Sequence, residues 1–355
     1  MTPMTESPLR IQGAGPAGLC AAIVLARAGR AVEVHERHHA VAHRFCGDLH
    51  GVENWSETRD CVAELQALGI EISFDFAPSY SFEIGNGRQF RRLSFDRPLF
   101  YLVKRGLDAG CLDSGLANQA MALGAKIYYA SPLREADADL VASGPAASDV
   151  FAYEKGLLFD TDGPDLAAAL VHPQAGGDGY AYLLIQRGTG VLCTVAFKQA
   201  DGIARALDVA QTMFQQRYRF SIESPRSIGG VGACSLQRFA SRDGVRRVGE
   251  AAGLQDLLFG FGIRNAMVSG ALAAHCVLRG ECHHASADAR FAEVMYNGLV
   301  ARQLWAGFAY RLFRPLTWRL ASSRDPHGLL YRAQRHNRLY AFARWARGER
   351  GTVAG

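Results

Sequence analysis

Gly13, Gly15 and Gly18 stand at G-x-G-x-x-G spacing in the run Leu9-Arg-Ile-Gln-Gly13-Ala14-Gly15-Pro16-Ala17-Gly18. Such glycines do not react; they shape a turn that can hold phosphate. Gly13 allows a sharp exit from a strand, Gly15 lets the backbone approach a pyrophosphate, and Gly18 lets the following helix lie close on the sheet. Glu36, eighteen residues past Gly18, ends the run Ala31-Val-Glu-Val-His-Glu36 and is placed to accept hydrogen bonds from a ribose diol. The implied chemistry belongs to a bound dinucleotide, with the protein supplying shape and electrostatics.

The elements needed to position these residues can be read around them. A strand leads into Gly13, an Ala-rich helix runs to Ala28 before Gly29, and a second strand ends at Glu36. The free N–H groups of that helix's first turn then face the phosphates. Residues 37–51 are polar and irregular and read as a loop, and Ser56 to Leu68 as an amphipathic helix stopped by Gly69. An alternating pattern across Asn86-Gly87 predicts a hairpin within Ser79–Phe95. Further on come a helix from Leu112 to Leu123, strands at 126–130 and 139–142, a hairpin of 180–186 with 191–198, and a helix from Asp201 to Arg217. Arg246 to Gly253 turns from strand to loop, and Gly260-Phe-Gly262-Ile263 opens a helix to Leu278, a second phosphate-facing helix end. Gly230-Val-Gly232-Ala-Cys-Ser235 only partly imitates a second fingerprint and reads as a turn.

Composition narrows the class. The 355 residues are 49% hydrophobic and 21% charged, enough for a sizeable core and ordinary for a globular chain. Residues 1–8 lack the cationic start and apolar run of a signal peptide, and no segment is apolar for the ~18 residues a membrane span needs. The eight cysteines include no C-x-x-C pair, which fits a reducing cytoplasm. No G-x-S-x-G or paired carboxylates point to hydrolysis, and the spacing of His35, His38, His39, His43, His283 and His284 matches no metal-ligand pattern, so no metal site is expected. From Asn297 onward eleven arginines face only Asp325 and Glu349, interleaved with aromatic residues. That tail is expected to pack as a closing helix over 299–315, or to meet anionic lipid or an acidic acyl carrier protein as a peripheral surface. Nucleic acid is not expected, because no reading module accompanies the arginines.

The ordered set Gly13–Gly18, Glu36, Arg105, Val248-Gly249-Glu250-Ala-Ala-Gly253 and Gly260-x-Gly262-Ile263 resembles the flavoprotein superfamily of aromatic hydroxylases, flavin-dependent halogenases and geranylgeranyl reductases. The resemblance covers residues 9 to about 280 and implies FAD. It assigns Gly13, Ala14, Gly15, Pro16, Ala17, Gly18, Glu36 and Arg37 to the adenosine and phosphate side, and Arg105 to the pyrophosphate. By the same resemblance Gly249 and Glu250 sit by the ribityl chain, and Gly260, Gly262 and Ile263 lie under the isoalloxazine. Phe45-Cys46-Gly47-Asp48 is similar to the Cys-Gly pair of geranylgeranyl reductases, which places Cys46 near the flavin as the catalytic candidate and Gly47 beside it. Gly179-Tyr180-Ala-Tyr182-Leu-Leu184 is similar to their aromatic cavity strand, with Tyr180, Tyr182 and Leu184 as substrate-pocket residues. The halogenase Trp-x-Trp pattern is absent there.

The implied architecture is mixed α/β (α+β). A Rossmann-like FAD domain (1–75, 101–150 and 236–285) is interleaved with an antiparallel or mixed-sheet substrate domain (76–100 and 151–235). A basic helical segment, 286–355, follows. The implied activity is FAD-dependent reduction of C=C bonds in a hydrophobic unsaturated substrate, with NAD(P)H or a separate reductase as electron donor. A monooxygenase and a non-catalytic flavin-fold binding protein are the alternatives.

Overall fold

The computed structural model describes residues 7–197 and 200–335, with the backbone alone described for 305–314. The chain runs β1 (Leu9–Gln12), α1 (Pro16–Arg27), β2 (Val32–His35), β3 (Leu49–Glu53), α2 (Cys61–Ala67), β4 (Ala77–Ser79), β5 (Ser81–Gly85), β6 (Phe90–Ser94), β7 (Phe100–Lys104), α3 (Leu112–Ala122), β8 (Lys126–Tyr128) and β9 (Leu140–Val141). It continues β10 (Val150–Asp160), β11 (Leu166–Leu170), α4 (Pro173–Gly176), β12 (Tyr180–Gln186), β13 (Thr189–Phe197), α5 (Ile203–Arg217), β14 (Glu223–Ala233), α6 (Leu236–Ala240), α7 (Ile263–Arg279), α8 (His283–Ala321) and α9 (Pro326–Arg335).

Three sheets result. The first is parallel, in the order β8-β2-β1-β9, as the β-α-β reading of residues 9–36 requires. Helix α1 is buried from Ala17 to Ala26 between this sheet and α7. Small residues make that possible: a Cβ on Gly270 of α7 would stand 1.9 Å from the Ala17 carbonyl oxygen, so the helices meet backbone to backbone.

The second sheet has seven strands, β14-β10-β13-β12-β11-β5-β6, antiparallel except where β11 meets β5. Alternation along its strands sends two sets of side chains apart. Leu183, Ile185, Leu192 and Phe159 pack beneath Leu207, Ala210 and Phe214 of α5, while Tyr182, Leu184, Phe82 and Ile84 face the other way, toward the cavity described below. The third sheet, β3-β7-β4, lies between these layers in the chain's path and is antiparallel.

Three local expectations are corrected. The 37–51 loop ends in a strand, because Leu49–Glu53 pairs with Phe100–Lys104, a partner invisible to local reading. The helix expected from Ser56 begins at Cys61, with the Asp60 side chain capping Val62 N–H. Before it, the Glu53 carboxylate accepts from the Trp55 and Ser56 amides and the Ser56 hydroxyl, while Asn54 binds Asp60, Pro98 O and Cys61 N. These bonds hold 54–60 irregular by satisfying its backbone without a helix. The turn expected at 230–235 instead belongs largely to β14, an edge strand paired with β10 whose register skips Ser224 and Pro225, and where glycines are tolerated.

Helix α8 carries Phe291, Ala292, Met295 and Tyr296 into the core around α1 and α7, with Leu299 and Val300 packed against it. The side chains of 305–314, including Trp305, Phe308, Tyr310 and Phe313, and everything after 335, including Tyr340, Phe342 and Trp345, lie outside the described residues. Two tail arginines are structural rather than free for a partner. Arg302 stacks on Phe197 at 3.5 Å and bonds to Asp178, and Arg335 is buried against Ser56 O, Glu57 and Arg290 O. Among the described residues, no helix is long and apolar enough to cross a membrane.

Candidate active site

A single cavity of about 640 Å³ runs from the glycine turn after β1 to the inner face of the seven-stranded sheet. That volume lies within the range of small-molecule and cofactor sites, ~300–1,000 Å³.

At one end Gly13 adopts φ +96° and sits so close to β9 that a Cβ would be 2.4 Å from Ala142 O. Gly15 is the opposite case: a Cβ there would meet nothing within 4 Å, because it projects into open space, and the residue lines the cavity. Glu36 ties the turn together, its Oε2 accepting from Ala14 N–H at 2.9 Å and its Oε1 from His38 N–H at 2.9 Å. Each carboxylate oxygen has a second acceptor direction left for a diol. Gln12 also lines this end; its Nε2 donates to Leu133 O while its Oε1 is buried without a partner. Arg37 lines the same end.

Midway, Arg105 is clamped by Asp113 through Nε (2.7 Å) and Nη2 (2.8 Å), with its guanidinium 4.2 Å from the Phe45 ring centroid. Both partners reach the cavity wall, as does Glu250. Burial pushes the Glu250 carboxyl up, and the charges of Arg44 and Arg105 oppose that rise. Helices α1 and α7 both open onto the cavity, capped by Gly15 and Gly262 with no side-chain hydrogen bond to either first turn. Two uncapped helix N-termini on one cavity leave N–H donors and positive dipole ends for anionic groups. A dinucleotide fits this set of donors, acceptors and open glycine better than a neutral ligand would.

At the far end Gly260, Gly262 and Ile263 meet Tyr180, Tyr182 and Leu184. The Tyr180 hydroxyl donates to Phe259 O and the Tyr182 hydroxyl to Glu154. Asp256 holds the 256–261 turn by accepting from the Leu258 and Phe259 amides at 3.1 and 2.9 Å. Burial nevertheless raises its carboxyl from 3.8 to about 6. Between these values the folded chain keeps a proton that the unfolded chain has released. This group's contribution to stability is therefore full below about pH 4 and lost as pH rises through about 6. Urea denaturation is expected to show the wild type losing stability relative to Asp256→Asn across that window, by on the order of 2–3 kcal/mol.

The residues expected from sequence divide into groups. Gly13, Ala14, Gly15, Pro16, Glu36, Arg37, Arg105, Glu250, Gly260, Gly262, Ile263, Tyr180, Tyr182 and Leu184 all line the cavity. Ala17, Gly18 and Gly249 lie behind it in the α1–α7 packing, where a Gly249 Cβ would be 3.0 Å from Ala17 Cβ. Cys46 and Gly47 are not in the wall: Cys46 is exposed, its amide donating to Asp48 Oδ1, while Gly47 N–H donates to Arg105 O. The Cys46 thiol is thus exposed and outside the lining, between Phe45 and Asp48, which belong to it. Brief treatment of the native protein with a thiol reagent should modify Cys46 and Cys282, both exposed, and Cys46→Ser should leave FAD retention unchanged.

Sequence reading missed Glu154, Gln255 and Trp55, all in the wall. Glu154 was findable in principle as a carboxylate on the inward register of an alternating strand; Trp55, in the irregular 54–60 segment, had no such signal. Among the described residues no group of three or more His, Cys, Asp or Glu is placed to hold a metal ion.

No family model matches the chain. Over 63 residues it is 44% identical to a digeranylgeranylglycerophospholipid reductase from Methanosphaerula palustris, a match spanning 17% of this chain and 16% of that relative's length. A geranylgeranyl bacteriochlorophyll reductase-like protein from Thermoplasma acidophilum superposes with TM-score 0.69 over 94% of this chain and 98% of its own, at 16% identity. A flavin-dependent brominase superposes with TM-score 0.64 over 96% and 98%, at 15% identity. The chain therefore shares its fold with a geranylgeranyl bacteriochlorophyll reductase-like protein and a flavin-dependent brominase, and a short stretch of its sequence is similar to a digeranylgeranylglycerophospholipid reductase.

Proposed function

We propose that the protein is an FAD-dependent oxidoreductase that reduces C=C bonds of a hydrophobic, unsaturated substrate, of prenyl or acyl type. One observation carries this reading: the cavity is continuous from a phosphate-and-ribose end, Gly13–Pro16 with Glu36, to an apolar sheet face bearing Tyr180, Tyr182 and Leu184. FAD bound there would supply two-electron chemistry, with NAD(P)H or a separate reductase as the source of electrons.

The chain's own residues do the rest. Glu36 and Gln12 accept from the adenosine side, and the first turns of α1 and α7 donate to anionic groups. Arg105, fixed by Asp113, holds positive charge in the wall between them. Phe82, Ile84, Leu93 and Leu184 give the substrate end an apolar lining, closed by Leu320 of α8 and Leu330 of α9. The exposed arginines 319, 324 and 332 near this closure support docking on an anionic lipid surface or an acyl carrier protein.

The likeness to a flavin-dependent brominase favours a second reading, in which the same cavity serves oxygen chemistry. Anaerobic incubation of the FAD-loaded, reduced protein with a polyprenyl alcohol separates the two. A mass gain of two hydrogens without oxygen supports reduction; turnover only in air, with gain of oxygen, defeats it.

A further inference from the structure

Glu154 is out of character with its surroundings. It sits on β10 opposite Val195 of β13 and Gly230 of β14, on a wall otherwise built from Tyr182, Leu184, Val195 and Ile228. One carboxylate oxygen, Oε1, accepts from the Tyr182 hydroxyl. Burial, together with the neighbouring Cys193 and Glu154, pushes the Tyr182 hydroxyl well above its ordinary range, and burial does the same to the Cys193 thiol. Both therefore stay protonated, and Tyr182 acts as the donor.

The second oxygen, Oε2, takes no bond from a protein N–H or O–H among the described residues, and the Cys193 thiol is the other side chain that bonds this carboxylate. Space has been kept beside it: a Cβ on Gly230 would come within 3.3 Å of Oε2, and Gly229, Gly230 and Gly232 all line the cavity. One register step along β14, a Cβ on Gly232 would stand 3.0 Å from Gln255 Oε1, which is itself buried without a partner. Two acceptors thus border one glycine-lined opening: Gln255 Oε1 has no protein partner, and the Glu154 carboxylate has only the Tyr182 hydroxyl and the weakly donating Cys193 thiol. A buried amide oxygen such as Gln255 Oε1 is costly in an apolar wall unless something supplies the hydrogen, and the half-buried Glu154 carboxylate beside it can share that donor.

We propose that Glu154, oriented by Tyr182 and flanked by Gln255, is a specificity-determining acceptor for a hydrogen-bond donor on the ligand, an alcohol or amine on an apolar body, and that it disfavours ligands carrying a carboxylate. The proposal rests on the reading that the sheet face of the cavity receives the substrate. Gly229–Gly232 are then the notch that admits the donor, and Tyr182 is a positioning residue that fixes the carboxylate.

The test compares farnesol with farnesoic acid, the same chain ending in a donor or a carboxylate, by quenching of tryptophan fluorescence, since Trp55 lines the cavity. FAD content is read separately from visible absorbance. The full-length wild type should bind farnesol about tenfold more tightly than farnesoic acid, the size of one hydrogen bond to a charged group. Glu154→Gln should shrink that ratio to about twofold or less, and Gly230→Ala, which places a methyl at Oε2 without altering charge, should weaken farnesol in the same direction. A ratio unchanged in both variants overturns the proposal, as does a wild type that prefers the acid or binds neither. Failure to take up FAD while the alcohol preference persists would count against the oxidoreductase reading alone.

Discussion

Gly15→Val is expected to yield a folded protein that has lost its FAD. The residue caps α1 at φ −80° and ψ 178°, extended backbone that valine adopts readily, and a Cβ there meets no protein atom within 4 Å. Gly15 provides no side-chain cap, so the helix loses at most about 1 kcal/mol on substitution. The added methyls instead occupy the space in front of the α1 N-terminus, where a pyrophosphate must come within hydrogen-bond distance of the amides. Overpacking of this kind costs about 1–3 kcal/mol even in deformable interiors, or roughly 10- to 100-fold in affinity. Equilibrium dialysis against FAD, beside a urea melt, measures both quantities. Gly18→Ala provides the contrast, because its Cβ would stand 2.0 Å from Gly13 O and the melt itself should shift. Wild-type FAD affinity in Gly15→Val would mean that the phosphates lie elsewhere.

The second large effect belongs to Asp113→Ala. Asp113 is wholly buried and accepts from Arg105 Nε, Arg105 Nη2 and Gly106 N–H. Removing it strands the charge of an arginine that is only 8% exposed, and breaking a buried pair from one side costs about 3–5 kcal/mol. The urea midpoint should fall accordingly. Replacing both partners with apolar residues, Arg105→Met with Asp113→Leu, should recover much of that stability, since no charge is left stranded. FAD binding should stay weakened, because the cavity wall has lost its cation. Recovery of both together would reduce Arg105 to a structural residue.

What could be read from the chain alone follows the range of the interactions involved. Residues 9–36 were legible because strand, turn, helix and strand are specified by neighbours, and the glycines mark where backbone must approach backbone. The hairpin of β12 and β13 was legible for the same reason. Strand β3 was not, because its partner β7 lies some fifty residues away and its own sequence is mixed. The start of α2 was misplaced because Glu53, Asn54 and Asp60 satisfy the preceding backbone through side chains, which no apolar period records. Position in the site was harder still. Cys46 has the right neighbours in sequence and an exposed place in the fold, whereas Glu154 attracts no notice until β10 is seen between β13 and β14.

The most direct test of the account is a titration of the purified protein with FAD, followed by visible absorbance and repeated with Glu36→Ala. Saturation is expected at one FAD per chain with a shifted flavin spectrum, and an affinity in the variant lower by at least about tenfold. A spectrum identical to free FAD at every ratio, or binding indifferent to Glu36, would contradict it.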